Sequence, residues 1–459
     1  MRVELERAGR VADPDGEGLA GSDRCGDRVR FTLRLRGGTI EQIRFGVQGC
    51  PSATAAAGEL ARRVEGGSLL AAAAIPLDSL DVPSRACGAI AHDALHAALA
   101  DALGRVQLVP EERRRIVAMS GGVDSAVALH RERAAGHEVV GLTLRLWIDE
   151  HAPDAERACC SPTAVVRARE TCHALGVPHF SIDAQDAFRE AVVEPFVRGY
   201  ASGETPNPCT TCNAGFRLDL LVESAARLGS ATVSTGHYAR IVRRGGRAFV
   251  ARGADRAKDQ SYMLARVDAD LLGHLALPLG DACKPDVRAE ASAAGLTQAT
   301  LPESQDICFL GGGALAPFLE RAGVRRAPGA IEAEDGRVLG EHAGALSFTP
   351  GQRRGLGVAA EEPLFVQRID AARNVVVLAP RARLATTRVE LREARIADGC
   401  ERAYVKLRGR SPAVATAVSR GDGGIVLDLD EPVYGIAPGQ TAALYDEQGV
   451  VIGSGVISG

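Results

Sequence analysis

The spacing of apolar side chains changes along this chain, and the changes divide it. Val29–Leu35 and Ile40–Val47 alternate apolar with polar residues, the pattern of half-buried strands. Ala-rich helical stretches follow them, so residues 1–108 read as an α+β unit. The charged run EERRR precedes a second pattern that starts at Ile116. There, apolar strands, loops and helices take turns: IVAMS, DSAVALHRERAAG, HEVVGLTLRLW, TAVVRARETCHALG, PHFSID and FRLDLLVESAARLG. That alternation predicts a parallel sheet with helices on both faces over residues 111–312. A Gly-rich segment with short strands makes a small central unit, 313–378. TRVELREARI, AYVKLRGR, AVATAVSR, GIVLDLD and QTAALYD then predict a small β-barrel over 379–459. The expected fold class is multidomain: α+β, then parallel-sheet α/β, then β.

Composition narrows the class. With 459 residues, 46% hydrophobic and 24% charged, the chain reads as several soluble domains. It has no run of about 18 apolar residues, and its MRVELERAGR start lacks a signal-peptide core. A cytoplasmic protein without a membrane partner is expected. The net charge of −4 argues against a globally basic nucleic-acid coat but leaves room for a local basic channel. Only three of the 54 basic residues are lysine (Lys258, Lys284, Lys406), which makes each retained lysine worth inspection. Eleven cysteines without a signal peptide suggest metal or catalytic thiols, not a disulfide frame.

The clearest motif is Ser120-Gly121-Gly122-Val123-Asp124-Ser125, between a strand and a helix. Its glycines let backbone N–H groups approach an anion, and the helix N-terminus adds positive potential. Both serines can donate to phosphate, and Asp124 can hold Mg²⁺ or cap the helix. No Walker lysine follows. The hexad resembles the PP-loop of ATP pyrophosphatases, which implies ATP cleavage between the α- and β-phosphates. It leaves the substrate open.

Thr205-Pro206-Asn207-Pro208-Cys209-Thr210-Thr211-Cys212-Asn213 carries a CxxC, and the prolines argue for a loop that presents its thiols. Cys308 follows in Ser304-Gln305-Asp306-Ile307-Cys308-Phe309. Three thiols from two loops can bind three corners of an Fe–S cluster. Alternatively, two can act as persulfide carrier and resolving thiol. Zinc lacks an evident fourth ligand. Cys159, Cys160, Cys172, Cys283 and Cys400 read as structural or incidental.

With these motifs stand Ser234-Thr235-Gly236-His237-Tyr238, Lys258-Asp259-Gln260-Ser261-Tyr262, Gly340-Glu341-His342, Thr349-Pro350-Gly351-Gln352-Arg353-Arg354-Gly355 and Ala437-Pro438-Gly439-Gln440. Together, over about three quarters of the chain, they resemble the MnmA family of tRNA-uridine 2-sulfurtransferases. The resemblance implies that ATP adenylates O2 of a tRNA wobble uridine and that sulfur then replaces it. It implies Cys212 and Cys308 as catalytic, with Asp124. Ala118, Met119, Ser120–Ser125, Leu144 and Gly236 fall at ATP-contacting positions. Asn207, Pro208 and Cys209 fall in the target-base loop. His237, Lys258, Asp259, Gln260, Arg408, Gly409 and Gln440 fall at positions facing tRNA. Cys209 stands where many members have Asp. That extra thiol favours a [4Fe–4S] cluster on Cys209, Cys212 and Cys308. A cysteine desulfurase or another sulfur donor is the implied partner. Leu144 replaces an expected Met, and Gly409 an aromatic.

At the N-terminus, Cys25-Gly26-Asp27, Gly49-Cys50 and Cys87 each lie at an element end, which suits transient holding of iron and sulfide. Order and spacing resemble the IscU/NifU Fe–S scaffold, implying Cys25, Asp27, Cys50 and Cys87 as cluster ligands. The family's His before the last cysteine is Ala86 here. Basic residues expected to meet RNA are Arg240, Arg243, Arg244, Arg247, Arg353, Arg354, Lys406, Arg408 and Arg410. Pro208 and Phe309 are expected to shape a pocket for an extruded uridine. Rival readings are another PP-loop synthetase or amidotransferase, and a non-enzymatic Fe–S carrier.

Overall fold

The computed structural model describes residues 6–153, 161–302, 307–345, 348–421 and 424–458. In the N-terminal unit, β1 (Gly16–Gly21), β2 (Arg28–Arg36) and β3 (Thr39–Gln48) form an antiparallel meander. Alternation along β2 and β3 sends Val29, Phe31, Leu33, Ile43 and Phe45 inward. Three helices cover that face: α1 (Pro51–Val64), α2 (Leu69–Ala73) and α3 (Arg85–Ala102). Pro51 opens α1, where its missing N–H costs nothing, and Ser84 caps α3 by accepting from the Cys87 N–H.

The second unit contains β4 (Arg114–Ala118), α4 (Val123–Ala134), β5 (Glu138–Arg145), α5 (Pro162–Ala174) and β6 (His179–Asp183). The chain continues through α6 (Gln185–Phe188), α7 (Glu194–Ala201), α8 (Pro208–Cys212), α9 (Leu218–Arg227) and β7 (Val233–Ser234). After the hairpin β8 (Ala239–Arg244)–β9 (Arg247–Arg252) come α10 (Ala269–Leu272), β10 (Leu275–Ala276) and α11 (Lys284–Ala293). The parallel sheet has the order β10-β7-β4-β5-β6. The chain winds one way from β4 through β5 and β6, then returns to β7 on the other side of β4. In open parallel sheets wound this way, ligands bind at that reversal, outside the strands' carboxyl ends.

After α12 (Leu315–Arg321), β11 (Gly329–Ala333), β12 (Val338–His342), β13 (Leu364–Asp370) and β14 (Val375–Pro380) pair in the order β12-β11-β14-β13. The last strands are β15 (Ala385–Ile396), β16 (Arg402–Lys406), β17 (Val414–Gly421), β18 (Gly424–Tyr434), β19 (Thr441–Tyr445) and β20 (Val451–Ile457). They close a barrel in the order β15-β18-β17-β16-β19-β20. The sixth strand, VIGSGVI, is absent from the sequence expectation; its two glycines weaken the strand pattern.

The N-terminal unit is not a loosely tethered appendage. One continuous apolar cluster joins its Leu95, Leu99 and Val106 to Ile116, Leu142 and Phe180 of the parallel-sheet unit. Polar contacts seal the seam. The Leu108 N–H donates to the Arg227 carbonyl at 2.8 Å, Arg227 Nη1 to the Gly104 carbonyl at 2.7 Å, and Arg169 pairs with Asp93.

Candidate functional site

The SGGVDS turn lies at the carboxyl end of β4 and opens α4. Gly121 has φ +71°, and a Cβ there would lie 2.5 Å from the Ala164 carbonyl oxygen. The turn is tied internally: Ser125 Oγ accepts from the Ser120 N–H at 3.2 Å and donates to the Gly122 carbonyl at 3.0 Å. Gly122 caps α4 without a side-chain hydrogen bond. Ala118, Met119 and Val123 are buried under the turn, and Leu144 is buried near the end of adjacent β5. Gly236, just beyond β7, lies against the start of α4: a Cβ there would come 2.8 Å from the Asp124 carbonyl carbon. Residues expected to contact ATP thus gather from β4, β5 and β7 at the sheet reversal.

Asp124 differs from expectation. Its carboxylate accepts from Lys284 Nζ at 2.6 and 2.8 Å and from Tyr238 Oη at 2.8 Å. It does not cap its own helix, a place taken by Gly122, and its charge is balanced by the Lys284 ammonium. Lys284 begins α11, with its side chain only 8% exposed. Arg131 on α4 holds Glu290 on α11 through three contacts of 2.6–3.1 Å, locking together the two helices that carry the pair. Motif reading missed Lys284 as a site residue; its retention in an arginine-rich chain was the available signal.

The CxxC segment is also a correction. It is not an extended loop but the short helix α8, continued by a π-helical turn, Asn213–Arg217, into α9. Pro208 sits at the first helical position, where proline is tolerated, and Asn207 caps the helix by accepting from the Cys209 and Thr210 N–H groups. Asn207 and Pro208 therefore shape α8. Cys212 is buried, while Cys209 and Cys308 are half-buried. Among the described residues, two groups of three ligand atoms come within 4.8 Å of one another, and neither includes Cys209, Cys212 or Cys308. As placed, these three thiols do not form a seat for a single metal ion; a multi-iron cluster spaces its thiolates more widely.

The barrel reaches across to hold this segment. The Thr205 N–H donates to the Pro438 carbonyl at 2.8 Å, the Gln440 side chain donates to the Thr205 carbonyl, and Arg392 pairs with Glu204 at 2.9 Å. Thr210 and Thr441 hydroxyls meet at 2.7 Å. Gln440, half-buried, thus reaches the segment that leads into α8.

Several other residues expected to face tRNA are half-buried and also make contacts within the protein. Asp259 accepts from the Gly253 and Ser261 N–H groups, and Gln260 Oε1 from the Tyr238 N–H at 2.8 Å. Arg408 donates to the Pro350 and Gly435 carbonyls, and Gly409 lies against the Tyr262 ring. His237 shares a 2.7 Å hydrogen bond with Thr235, and burial, with Arg217 nearby, lowers its pKa to about 3. At that value it is neutral at physiological pH. Lys258 is half-buried, with its N–H on Asp255. Arg244 is paired with Asp446, and Lys406 is half-buried near Tyr262. Arg247, Arg353, Arg354 and Arg410 are exposed. Phe309 is fully buried with Phe188, Phe196 and Phe318, ring centroids 5.3–6.0 Å away, so it is core and not a pocket wall. Cys159, Cys160 and Asp306 lie outside the described residues. Cys172 is buried, which raises its thiol pKa strongly.

The N-terminal thiols do converge. Asp27, Cys50 and Cys87 place one ligand atom each within 4.8 Å of the others. Cys50 and Cys87 sulfurs are 3.6 Å apart, and both are free thiols. The Cys50 N–H donates to Asp27 at 3.1 Å. The Cys50 thiol, helped by that N–H and by the Cys25 and Cys87 thiols, holds the Asp27 carboxyl below its usual range against the effect of burial. At Cys87 the pull of Ser84 is outweighed by desolvation and by neighbouring Cys50 and Asp27, so its pKa is raised. Cys25 is exposed beside Asp27, outside the tight group. The arrangement offers two thiols and a carboxylate, with a third thiol at the rim.

Four family profiles match in chain order: a NifU-like N terminal domain over residues 5–108, a tRNA methyl transferase HUP domain over 113–312, a tRNA methyl transferase PRC-barrel domain over 317–380, and an aminomethyltransferase beta-barrel domain over 381–457. The chain is 42% identical to the bifunctional protein NifU/MnmA of Rubrobacter xylanophilus, an alignment covering 99% of this chain and 96% of that one. It is 43% identical to the tRNA-specific 2-thiouridylase MnmA of Sorangium cellulosum, over 75% of this chain and 93% of that one. The corresponding figures for the enzyme of that name from Xanthobacter autotrophicus are 41%, 76% and 93%.

Proposed function

The chain belongs to the MnmA family of tRNA-specific 2-thiouridylases, in the form that carries a NifU-like N-terminal domain, and on that premise we propose that it uses ATP to convert a tRNA uridine to 2-thiouridine. The observation that carries the reading is the SGGVDS turn at the sheet reversal, packed against Gly236 and backed by the Asp124–Lys284–Tyr238 contacts. In this reading the backbone N–H groups of the turn and the N-terminus of α4 hold the phosphates of ATP. Uridine O2 attacks the α-phosphorus, pyrophosphate leaves, and the adenylate activates C2. Sulfur then bonds to C2 as the C2–O bond breaks and AMP departs.

The division of labour follows the expected units. Residues 111–312 adenylate, 313–378 and 379–459 hold the RNA, and 1–108 gather sulfur or iron. Exposed Arg353, Arg354 and Arg410 suit phosphate contacts. Cys209 and Cys212 on α8, with Cys308, are the proposed acceptors of sulfur. Their donor chemistry suits a [4Fe–4S] cluster with one iron free of cysteine, which when bound would supply sulfide. This chain's part is to orient the thiols: Asn207 caps α8, and the barrel grips Thr205 from the other side.

The test is ATP turnover by the full chain with unmodified tRNA. AMP should form only when tRNA is present, and Asp124→Ala should abolish it while sparing tRNA binding. AMP formation with a small acid or amine in place of tRNA would support the synthetase reading instead. No tRNA-dependent AMP would support the carrier reading. For the thiols, the full chain with Cys25, Cys50 and Cys87 changed to Ser should retain iron after anaerobic reconstitution and lose it on adding Cys209→Ala. Thiolation from a persulfide donor by an iron-free chain would favour a Cys212/Cys308 relay.

A further inference from the structure

Three buried imidazoles meet where the N-terminal unit docks on the parallel-sheet unit. His92 and His96, four residues apart, share one face of α3; His173 comes from the last turn of α5. They are 1%, 7% and 7% exposed. Ring centroids are 4.4, 5.3 and 5.6 Å apart, and each ring offers a nitrogen within 4.8 Å of the other two. Two of the rings are oriented by backbone carbonyls: His92 Nε2 lies 2.8 Å from the Ile75 oxygen, and His173 Nε2 3.0 Å from the Ala73 oxygen. A carbonyl only accepts, so both Nε2 atoms carry the proton and each Nδ1 keeps its lone pair. Among the described residues, His92 Nδ1 and His96 Nε2 are buried without a hydrogen-bond partner.

We propose that His92, His96 and His173 bind one divalent transition-metal ion of the zinc class in the seam between the two units. A buried polar nitrogen left without a partner costs about 1–3 kcal/mol, and one ion would satisfy all three rings at once. Three neutral imidazoles are a common zinc ligand set and leave a fourth position for water or another ligand. The carbonyls on His92 and His173 fix the tautomer as outer partners of ligating histidines do. The set contains no oxygen donor, which disfavours Mg²⁺ and Ca²⁺. Among the described residues, Arg169 is the cation that bears on all three rings, and it is already paired with Asp93. His179, also close, has Nε2 on Thr143 at 2.8 Å and lies outside the group of three. The site is separate from the Asp27/Cys50/Cys87 group and differs from it in ligand chemistry. Because its ligands come from both units, the ion would hold those units together.

The experiment uses the full chain with Cys25, Cys50, Cys87, Cys209, Cys212 and Cys308 changed to Ser, so that neither thiol group competes, stripped of metal and titrated with Co²⁺. One equivalent should bind with visible ligand-field bands and no thiolate charge-transfer band, and Zn²⁺ should displace it. His96→Gln should weaken binding at least about 100-fold. X-ray absorption on the Co²⁺-loaded chain reads the ligands without any change at the site and should show imidazole scattering. No retained Co²⁺, unchanged binding in a folded His96→Gln chain, or a first shell without imidazoles would overturn the proposal.

Discussion

At the scale of single residues, the site depends on charge balance more than on its motif letters. Asp124 belongs to the SGGVDS hexad, yet its carboxylate is held by Lys284, 160 positions away, and by Tyr238. A charge-assisted hydrogen bond of this kind contributes about 1.5–3 kcal/mol. Lys284→Met should therefore slow tRNA-dependent AMP formation by about tenfold or more, with Lys284→Arg restoring part of it. Measured rates for the two variants check this; equal rates in wild type and Lys284→Met would remove Lys284 from the site. His237 offers a contrast. It is neutral, so His237→Gln should leave the salt dependence of tRNA binding unchanged. Arg353→Gln should reduce the slope of log affinity against log salt by about 1, if that exposed arginine meets phosphate.

At the scale of elements, α4 and α11 act as a pair clamped by Arg131 and Glu290. The Arg131 guanidinium is the main cause holding the Glu290 carboxyl below its usual value of 4.5. A carboxyl depressed in the folded state stabilises the fold fully above its unfolded pKa and loses that contribution as pH falls through the folded one. Glu290→Gln should thus cost about 1 kcal/mol at pH 7, a modest figure because the pair is partly solvated. The difference from wild type should shrink below about pH 4.5. Chemical denaturation at pH 7 and pH 3.5 checks both parts.

The parallel sheet and the SGGVDS turn were legible in the sequence because strand, glycine turn and helix are consecutive and their periods are local. The helix α8 was not legible. Pro208 was read as a loop former, whereas after a capping Asn it begins a helix. The direction of Gln440, Arg408 and Asp259 was also hidden. Each belongs to a recognisable motif, but the carbonyls and N–H groups it serves fix whether it points inward, and for Gln440 and Arg408 these lie far away in sequence. His92 and His96 showed the four-residue spacing of one helix face. Their third partner comes from another unit, so no local pattern announced it.

At the scale of the whole molecule, the NifU-like unit shares a core with the parallel-sheet unit and presents its own thiol group. In the proposed delivery role, fusion fixes a high effective concentration of the cargo those thiols would pass on. Cys50→Ser with Cys87→Ser should therefore depress thiolation when sulfur and iron are scarce and have little effect when both are in excess. No change under scarcity would remove the delivery role. No helix among the described residues is long and apolar enough to cross a membrane.

The most direct test of the central claim is nucleoside mass spectrometry of unmodified tRNA after incubation with the full chain, ATP and an anaerobic sulfur source. The account predicts 2-thiouridine in step with AMP release, and neither product above background with Asp124→Ala. With Cys212→Ala, 2-thiouridine should vanish. AMP release without any thiolated uridine from the wild-type chain, or undiminished 2-thiouridine from Cys212→Ala, would contradict it.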